Sequence, residues 1–221
     1  MKISLIIQCI DTFGFVPAKD KLSFYADDRR FYPVLKSGGY YIASSELPRE
    51  FSLSIRSDAY YDRDIPVILE EGIIRIDLIR KSPPPRESAV WFDFGECGKA
   101  ALEYGYFCPG MPIKSGDTHI TAENSYRFCL EGRRFLLLDT NSGAEEFIVL
   151  EKAENALMTN YSTGAIRNDY NAEFSVLLPA FDVYVKASVP VKKPPSGEAT
   201  ARFYGESGKQ AVRIRAYSPF S

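Results

Sequence analysis

Lys36-Ser37-Gly38-Gly39-Tyr40-Tyr41-Ile42-Ala43 reads as a turn running into a strand. Gly38 and Gly39 take positive φ without Cβ strain, and paired glycines make tight hairpin turns. Tyr40 to Ala43 favours an extended backbone. Side chains alternate along a strand, so Tyr40 and Tyr41 point to opposite faces, one toward the core and one toward water. Leu47-Pro48-Arg49-Glu50 breaks the chain again. Phe51-Ser52-Leu53-Ser54-Ile55-Arg56 then sets Phe51, Leu53 and Ile55 on one face, the period of a half-buried strand. This unit centres a small antiparallel β module over residues 1–80.

The flanking sequence fits the same module. Residues 3–10 form a first strand, and Asp11-Thr12-Phe13-Gly14 turns the chain. A second strand starts at Lys21-Leu22-Ser23-Phe24-Tyr25, and Asp27-Asp28-Arg29-Arg30 is a charged turn. Phe31-Tyr32-Pro33-Val34-Leu35 is interrupted by proline, which places it at a sheet edge or beside a bulge. Ile65 to Leu69 and Ile73 to Leu78 close the module around Glu70-Glu71-Gly72. About seven short strands in this span is the spacing of a sandwich.

Lys81-Ser82-Pro83-Pro84-Pro85-Arg86-Glu87 marks a boundary, because consecutive prolines lack backbone donors and favour polyproline II. Residues 81–88 are therefore read as a linker and 89–221 as a second β-rich domain. It opens on Ala89-Val90-Trp91-Phe92-Asp93-Phe94, with Trp91 expected in the core. Residues 99–104 fit a helical turn or a strand. Residues 126–130 and 133–138 read as a hairpin, 147–150 as a strand, and 174–178 and 181–187 as two strands separated at Pro179-Ala180. Glu151 to Met158 contains good helix formers, so one short helix is expected near 151–158. Residues 199–204 and 211–217 suit a terminal hairpin. The fold class expected is all-β, with two antiparallel sandwich-like modules.

Composition narrows function mainly by exclusion. The 27 basic and 29 acidic side chains leave a net charge of -2, without the basic excess of a nucleic-acid binder. No run reaches the length of an apolar membrane span. Met1 to Ile10 lacks a cleavage-site pattern and reads as a strand, so a cytoplasmic setting before any assembly is expected, with secretion left open. Cys9, Cys97, Cys108 and Cys129 have no compact zinc spacing and are expected as free thiols. There is no phosphate loop, dinucleotide fingerprint or GxSxG elbow, so neither cofactor nor metal is expected.

Candidate chemistry is sparse. His119 is the single histidine and could serve as a base with Asp117, Cys108 or Cys129, though a loop or strand-edge position is the plainer reading. Asp58, Asp62 and Asp64 cluster around Tyr60 and Tyr61. Carboxylates at this spacing suit a solvated loop, weak calcium binding or, with the two rings, a sugar or protein contact. Tyr104 and Tyr106 are a second candidate aromatic surface.

The turn-and-strand Gly38-Gly39-Tyr40-Tyr41-Ile42, the Leu47-Pro48 break and the alternating strand 51–56 resemble transthyretin-like and carboxypeptidase-regulatory-like β-sandwich modules over residues 3–79. That resemblance implies a non-catalytic structural, docking or adhesion role and assigns no functional residue. The expected function is a structural or binding protein, a subunit of a larger assembly such as a phage-like or contractile-injection particle, with a protein partner or homo-oligomer. A carbohydrate-binding or adhesin module using exposed tyrosines, with a glycan partner, is the first alternative. A hydrolase with a carboxylate or Cys-His site is the second. Replacing Gly38 or Gly39 with Val should impair folding of residues 1–80, measured as a lowered denaturation midpoint; two variants of normal stability would refute the turn assignment.

Overall fold

The computed structural model describes residues 4–44, 46–69, 72–82, 89–93, 98–103, 105–123, 125, 130–155, 159–184, 188–192, 198–205 and 211–217. The fold is all-β, with several antiparallel sheets. The chain divides into two compact units, Met1–Gly95 with Val185–Lys193 and Ser218–Ser221, and Glu96–Tyr184 with Pro194–Tyr217. The proline run at 83–88 lies outside the described residues.

The first unit contains β1 (Leu5–Asp11), β2 (Val16–Pro17), β3 (Ser23–Ala26), β4 (Arg29–Phe31), β5 (Val34–Lys36), β6 (Tyr40–Ala43), β7 (Glu50–Arg56), β8 (Arg63–Ile68), β9 (Ile73–Leu78) and β10 (Ala89–Asp93). One sheet runs β2-β1-β6-β5 with β9 on β1, and the other runs β4-β3-β7-β8. Ile7, Cys9 and Leu78 of the first sheet share one core with Phe24, Leu53 and Ile55 of the second, a sandwich-like arrangement. Each such fully buried apolar side chain contributes about 1.5–3 kcal/mol. The alternation of Phe51, Leu53 and Ile55 is realised as three buried positions. Pairing of β1 with β9 is parallel, from Ile6↔Ile73 to Asp11↔Leu78, a departure from the antiparallel expectation.

The glycine pair forms a three-residue turn at Ser37–Gly39 between β5 and β6, with φ of 74° at Gly38 and 75° at Gly39. The flanking strands pair Lys36↔Tyr40, Leu35↔Tyr41 and Val34↔Ile42. Tyr41 is buried, its ring 4.7 Å from that of Phe24, while Tyr40 is half-buried on the other face. Gln8 on β1 holds the turn, donating from Nε2 to Gly38 O at 3.1 Å. The charged turn is shorter than its sequence suggests. Asp27 and Asp28 alone occupy it, both with positive φ, and Arg29 and Arg30 already lie in β4. A two-residue loop with both φ positive suits the twist of a hairpin.

The second unit contains β11 (Gly98–Leu102), β12 (His119–Thr121), β13 (Arg133–Asp139), β14 (Glu145–Leu150), β15 (Lys152–Ala153), β16 (Asn160–Ser162) and β17 (Ser175–Val183). After β18 (Ser188–Lys192), which pairs with β10, come β19 (Glu198–Gly205) and β20 (Ala211–Tyr217). A six-stranded sheet runs β14-β13-β17-β11-β19-β20, and a smaller one runs β12-β16-β15. One face of the large sheet packs Phe135, Leu137, Leu150 and Leu177 against Ile120 and Tyr161 of the smaller sheet. The other face carries Ala101, Leu136, Leu138, Leu178 and Ala180. β19 and β20 pair antiparallel as the expected terminal hairpin requires, Glu198↔Tyr217 to Tyr204↔Ala211.

Two sequence expectations are corrected here. The helix near 151–158 is not formed over its described part. Lys152 and Ala153 pair with Ser162 and Tyr161, and Asn155 Oδ1 accepts from the Thr159 and Asn160 amides to close the turn. Tertiary pairing overrides helix propensity there; residues 156–158 lie outside the described residues. The break at Pro179-Ala180 is bridged by one strand, because the ladder of β17 passes at that point from β13 (Phe135↔Pro179) to β11 (Ala101↔Ala180). The hairpin partner of β13 is β14, through the Asp139–Gly143 turn; of the expected strand 126–130, residues 126–129 are outside the described set. Trp91 lies in β10 opposite Pro190, and its side chain is outside the described set.

A Cβ at Gly39 would lie 2.9 Å from Cys9 O and 2.9 Å from Pro17 Cβ, whereas one at Gly38 meets only the Tyr40 ring, at 2.9 Å. Positive φ costs an alanine about 1–2 kcal/mol at either position, and overpacking adds about 1–3 kcal/mol where the neighbour cannot move. Gly39→Ala is therefore expected to lower unfolding free energy more than Gly38→Ala in urea titration. Equal losses would refute the packing account.

Candidate functional site

Asp11, at the end of β1, is 1% exposed and carries the densest polar network of the first unit. Its Oδ1 accepts from the Phe13 amide at 2.8 Å, and its Oδ2 accepts Arg80 Nε at 2.5 Å and the Tyr60 hydroxyl at 3.0 Å. Arg80 Nη2 also pairs with Asp20 at 2.9 Å, and the Tyr60 hydroxyl lies 3.1 Å from the same carboxylate. The guanidinium carbon sits 5.0 Å from the Tyr60 ring centroid. Parallel pairing of β1 with β9 delivers Arg80 beside Asp11. An isolated antiparallel bridge, Tyr60↔Arg80, brings in the tyrosine. Burial raises the Asp11 carboxyl above its ordinary value, against the lowering effects of the Phe13 amide, Arg80 and Tyr60. Burial also raises the Tyr60 hydroxyl, and the Asp11 charge adds to that rise. The cluster is a structural clamp, buried at Asp11 and Tyr60 and reaching solvent at Asp20.

This placement removes Tyr60 from any surface role, since the residue is completely buried. Its neighbours divide. Tyr61 is half-buried and Asp58 exposed. Asp62 and Asp64 lie 3.5 Å and 2.7 Å from Arg56, and Ser54 Oγ donates to Asp64 at 2.5 Å. The Ser54 hydrogen bond and then Arg56 hold the Asp64 carboxyl below its usual range. The loop thus directs two of its three carboxylates to Arg56. Tyr106 is 55% exposed, and Tyr104 lies outside the described residues.

His119 is exposed at the start of β12, with Nδ1 3.0 Å from Thr118 Oγ1, while Asp117 turns away to accept the Lys114 amide at 2.7 Å. Cys9 and Cys108 are free thiols, and burial pushes Cys9 up to about 12; Cys97 and Cys129 lie outside the described residues. Among the described residues no group of three or more His, Cys, Asp or Glu is placed to hold a metal ion, and no helix is long and apolar enough to cross a membrane.

The second unit holds a groove of about 700 Å³ on the six-stranded sheet. Gly98 on its floor lets β11 approach β19, for a Cβ there would lie 2.2 Å from Tyr204 O. Phe147 and Tyr204 meet edge to face at 4.7 Å along its apolar part. Arg202 anchors the end by donating to Glu103 at 3.0 Å and to Glu145 at 2.8 Å, and Tyr204 donates to Glu145 at 3.1 Å. Asp182 pairs with Arg134. Glu146 accepts the Arg167 amide at 2.9 Å and the Tyr170 hydroxyl at 3.0 Å. Lys99 Nζ rests 5.1 Å from the Phe147 centroid. No residue of this groove stood out in sequence; residues 147–150 were visible only as a strand, and the facing charges come from four separated segments.

Comparison with protein-family models, with curated proteins and with solved structures finds no match.

Removing one partner of a buried ion pair costs about 3–5 kcal/mol, because the other charge is left without compensation. Arg80→Met should lower stability by about that amount, and adding Asp11→Asn should restore part of it, as read from urea midpoints. The folded Asp11 carboxyl binds its proton more tightly than the unfolded one, with its ordinary value at 3.8. Its contribution is complete below that value and is lost as pH rises through the raised folded value. Asp11→Asn should remove this component from the pH profile of stability; an unchanged profile would contradict it.

Proposed function

We propose that the chain is a non-catalytic structural and binding protein that associates with copies of itself through the free edge of β5, as a subunit of a larger assembly. The observation that carries this reading is the exposure of Val34 and Leu35, 54% and 53%, on successive positions of an edge strand. Successive residues face opposite ways, so both faces of this edge are apolar. Tyr32, at 75%, extends the patch.

The strand is self-compatible. In an antiparallel pairing of two copies centred on Leu35, Val34 of each falls opposite Lys36 of the other, and no like charges meet directly. The contact is isologous, as in most homodimers. Its three strand residues give far less than the roughly 800 Å² per partner of a standard interface, so the single contact is weak and gains strength when subunits are repeated. A phage-like or contractile-injection particle is a setting of that kind. The core shared by two sheets in the first unit supports the sandwich reading of that module, and the transthyretin-like character of residues 3–79 belongs to the same proposal. Anchoring of the groove carboxylates by arginines, amides and tyrosines favours binding over proton transfer.

Sedimentation velocity over about 1–100 µM should show concentration-dependent dimers, and Leu35→Lys should shift the association beyond that range while far-ultraviolet circular dichroism stays unchanged. A wild-type chain that sediments as a monomer throughout would overturn assembly through this edge.

A further inference from the structure

We propose that the groove on the six-stranded sheet of the second unit binds an acidic saccharide, a polyhydroxylated chain bearing carboxylate groups. The proposal rests on which polar atoms are engaged and which stand open. Arg202 Nη1 and the Tyr204 hydroxyl both meet Glu145 at Oε2. Arg134 meets Asp182 at Oδ1. Among the described residues, Glu145 Oε1 and Asp182 Oδ2 therefore remain as acceptors in a groove that both residues line. The cations behave in the opposite way. Lys99 and Arg167 are exposed on the same groove, and neither side chain makes an ion pair among the described residues. The Lys99 ammonium is steadied by the Phe147 ring, and the Arg167 backbone is fixed by its amide hydrogen bond to Glu146.

A simple anion would satisfy the two cations but face the open carboxylate oxygens. A neutral sugar would donate hydroxyls to those oxygens but leave both cations without a counter-charge. A saccharide with carboxylates supplies both, hydroxyl donors for Glu145 and Asp182 and an anion for Lys99 and Arg167. Guanidinium matches carboxylate through paired hydrogen bonds. The half-buried rings of Phe147 and Tyr204 line the groove and offer an apolar surface for sugar C–H groups, as aromatic side chains do where one end of a site is apolar and the other wet. Ligand grooves generally combine such an apolar part with a few convergent polar groups.

The test is calorimetric titration of the full chain with oligogalacturonate, with a neutral maltooligosaccharide of equal length and with sodium acetate. Oligogalacturonate should bind, more weakly as salt is raised. Lys99→Gln and Arg167→Gln should each weaken it about ten-fold or more, the loss expected for a charged hydrogen bond. Maltooligosaccharide should bind at least about ten-fold more weakly than the acidic chain for the same reason. Absence of oligogalacturonate binding at millimolar concentration would overturn the proposal. So would affinities unchanged in both variants, equal binding of the neutral chain, or acetate binding as tightly as the saccharide. Thermal melts check that each variant is folded. Leu35→Lys should leave this binding unaltered, so the groove and the β5 edge succeed or fail separately.

Discussion

The ion pair between Asp11 and Arg80 is the constraint on which the first unit depends. A carboxylate at the inner end of β1 leaves water when the two sheets close, and an unmatched charge there would outweigh several buried methyl groups. Arg80 offsets that cost only if β9 lies parallel to β1 with Leu78 opposite Asp11. The pair therefore selects a register, since a slip of one residue would carry the guanidinium away from the carboxylate and turn the apolar face of β9 outward. Tyr60 completes the arrangement. Its ring fills space that solvent would otherwise enter, and its hydroxyl lies between Asp11 and Asp20.

The second unit solves the same problem differently. Arg202, on β19, joins Glu103 and Glu145, and the Glu145 side chain stays 31% exposed. Both arginines serve two carboxylates, but Asp11 is spent on three donors, whereas Glu145 keeps Oε1 open among the described residues. The distinction follows from where the strands place the charges. Asp11 is almost wholly buried, while Glu145 lines an open groove.

Local rules made much of the fold legible. The double glycine marked its turn because only glycine tolerates positive φ with Cys9 O and Pro17 so near. Phe51, Leu53 and Ile55 showed their face through period two alone. The failures share a non-local cause. Lys152 and Ala153 have helical propensity but are claimed by β16, and Pro179 is accommodated where its strand changes partners. Tyr60 looked like a surface aromatic because aspartates surround it in sequence. Its burial depends on Arg80, twenty residues away, reached through a bridge that no local pattern announces. The groove was invisible for the same reason: Lys99, Glu145, Arg167 and Asp182 converge only after β14, β13, β17 and β11 are set side by side.

Sheet edges bring these arguments to the surface of the first unit. Free strands invite pairing with other chains, and proteins usually blunt them with charge, proline or a covering segment. β4 has Arg29 and Arg30 exposed, and β8 carries Asp64 and Pro66, the latter with no amide to donate. β9 exposes Ile73 but has Arg75 and Asp77 further along. β5 differs, for its charge sits at the end, at Lys36, and its proline falls before it, at Pro33, leaving Val34 and Leu35 undefended between them. Burying these side chains in the unit's own core is not open to it, since the turn at Ser37–Gly39 and the register with β6 hold the strand at the rim. The turn that makes the fold readable thus also holds out its least protected edge, and a partner strand there is the arrangement that would cover it.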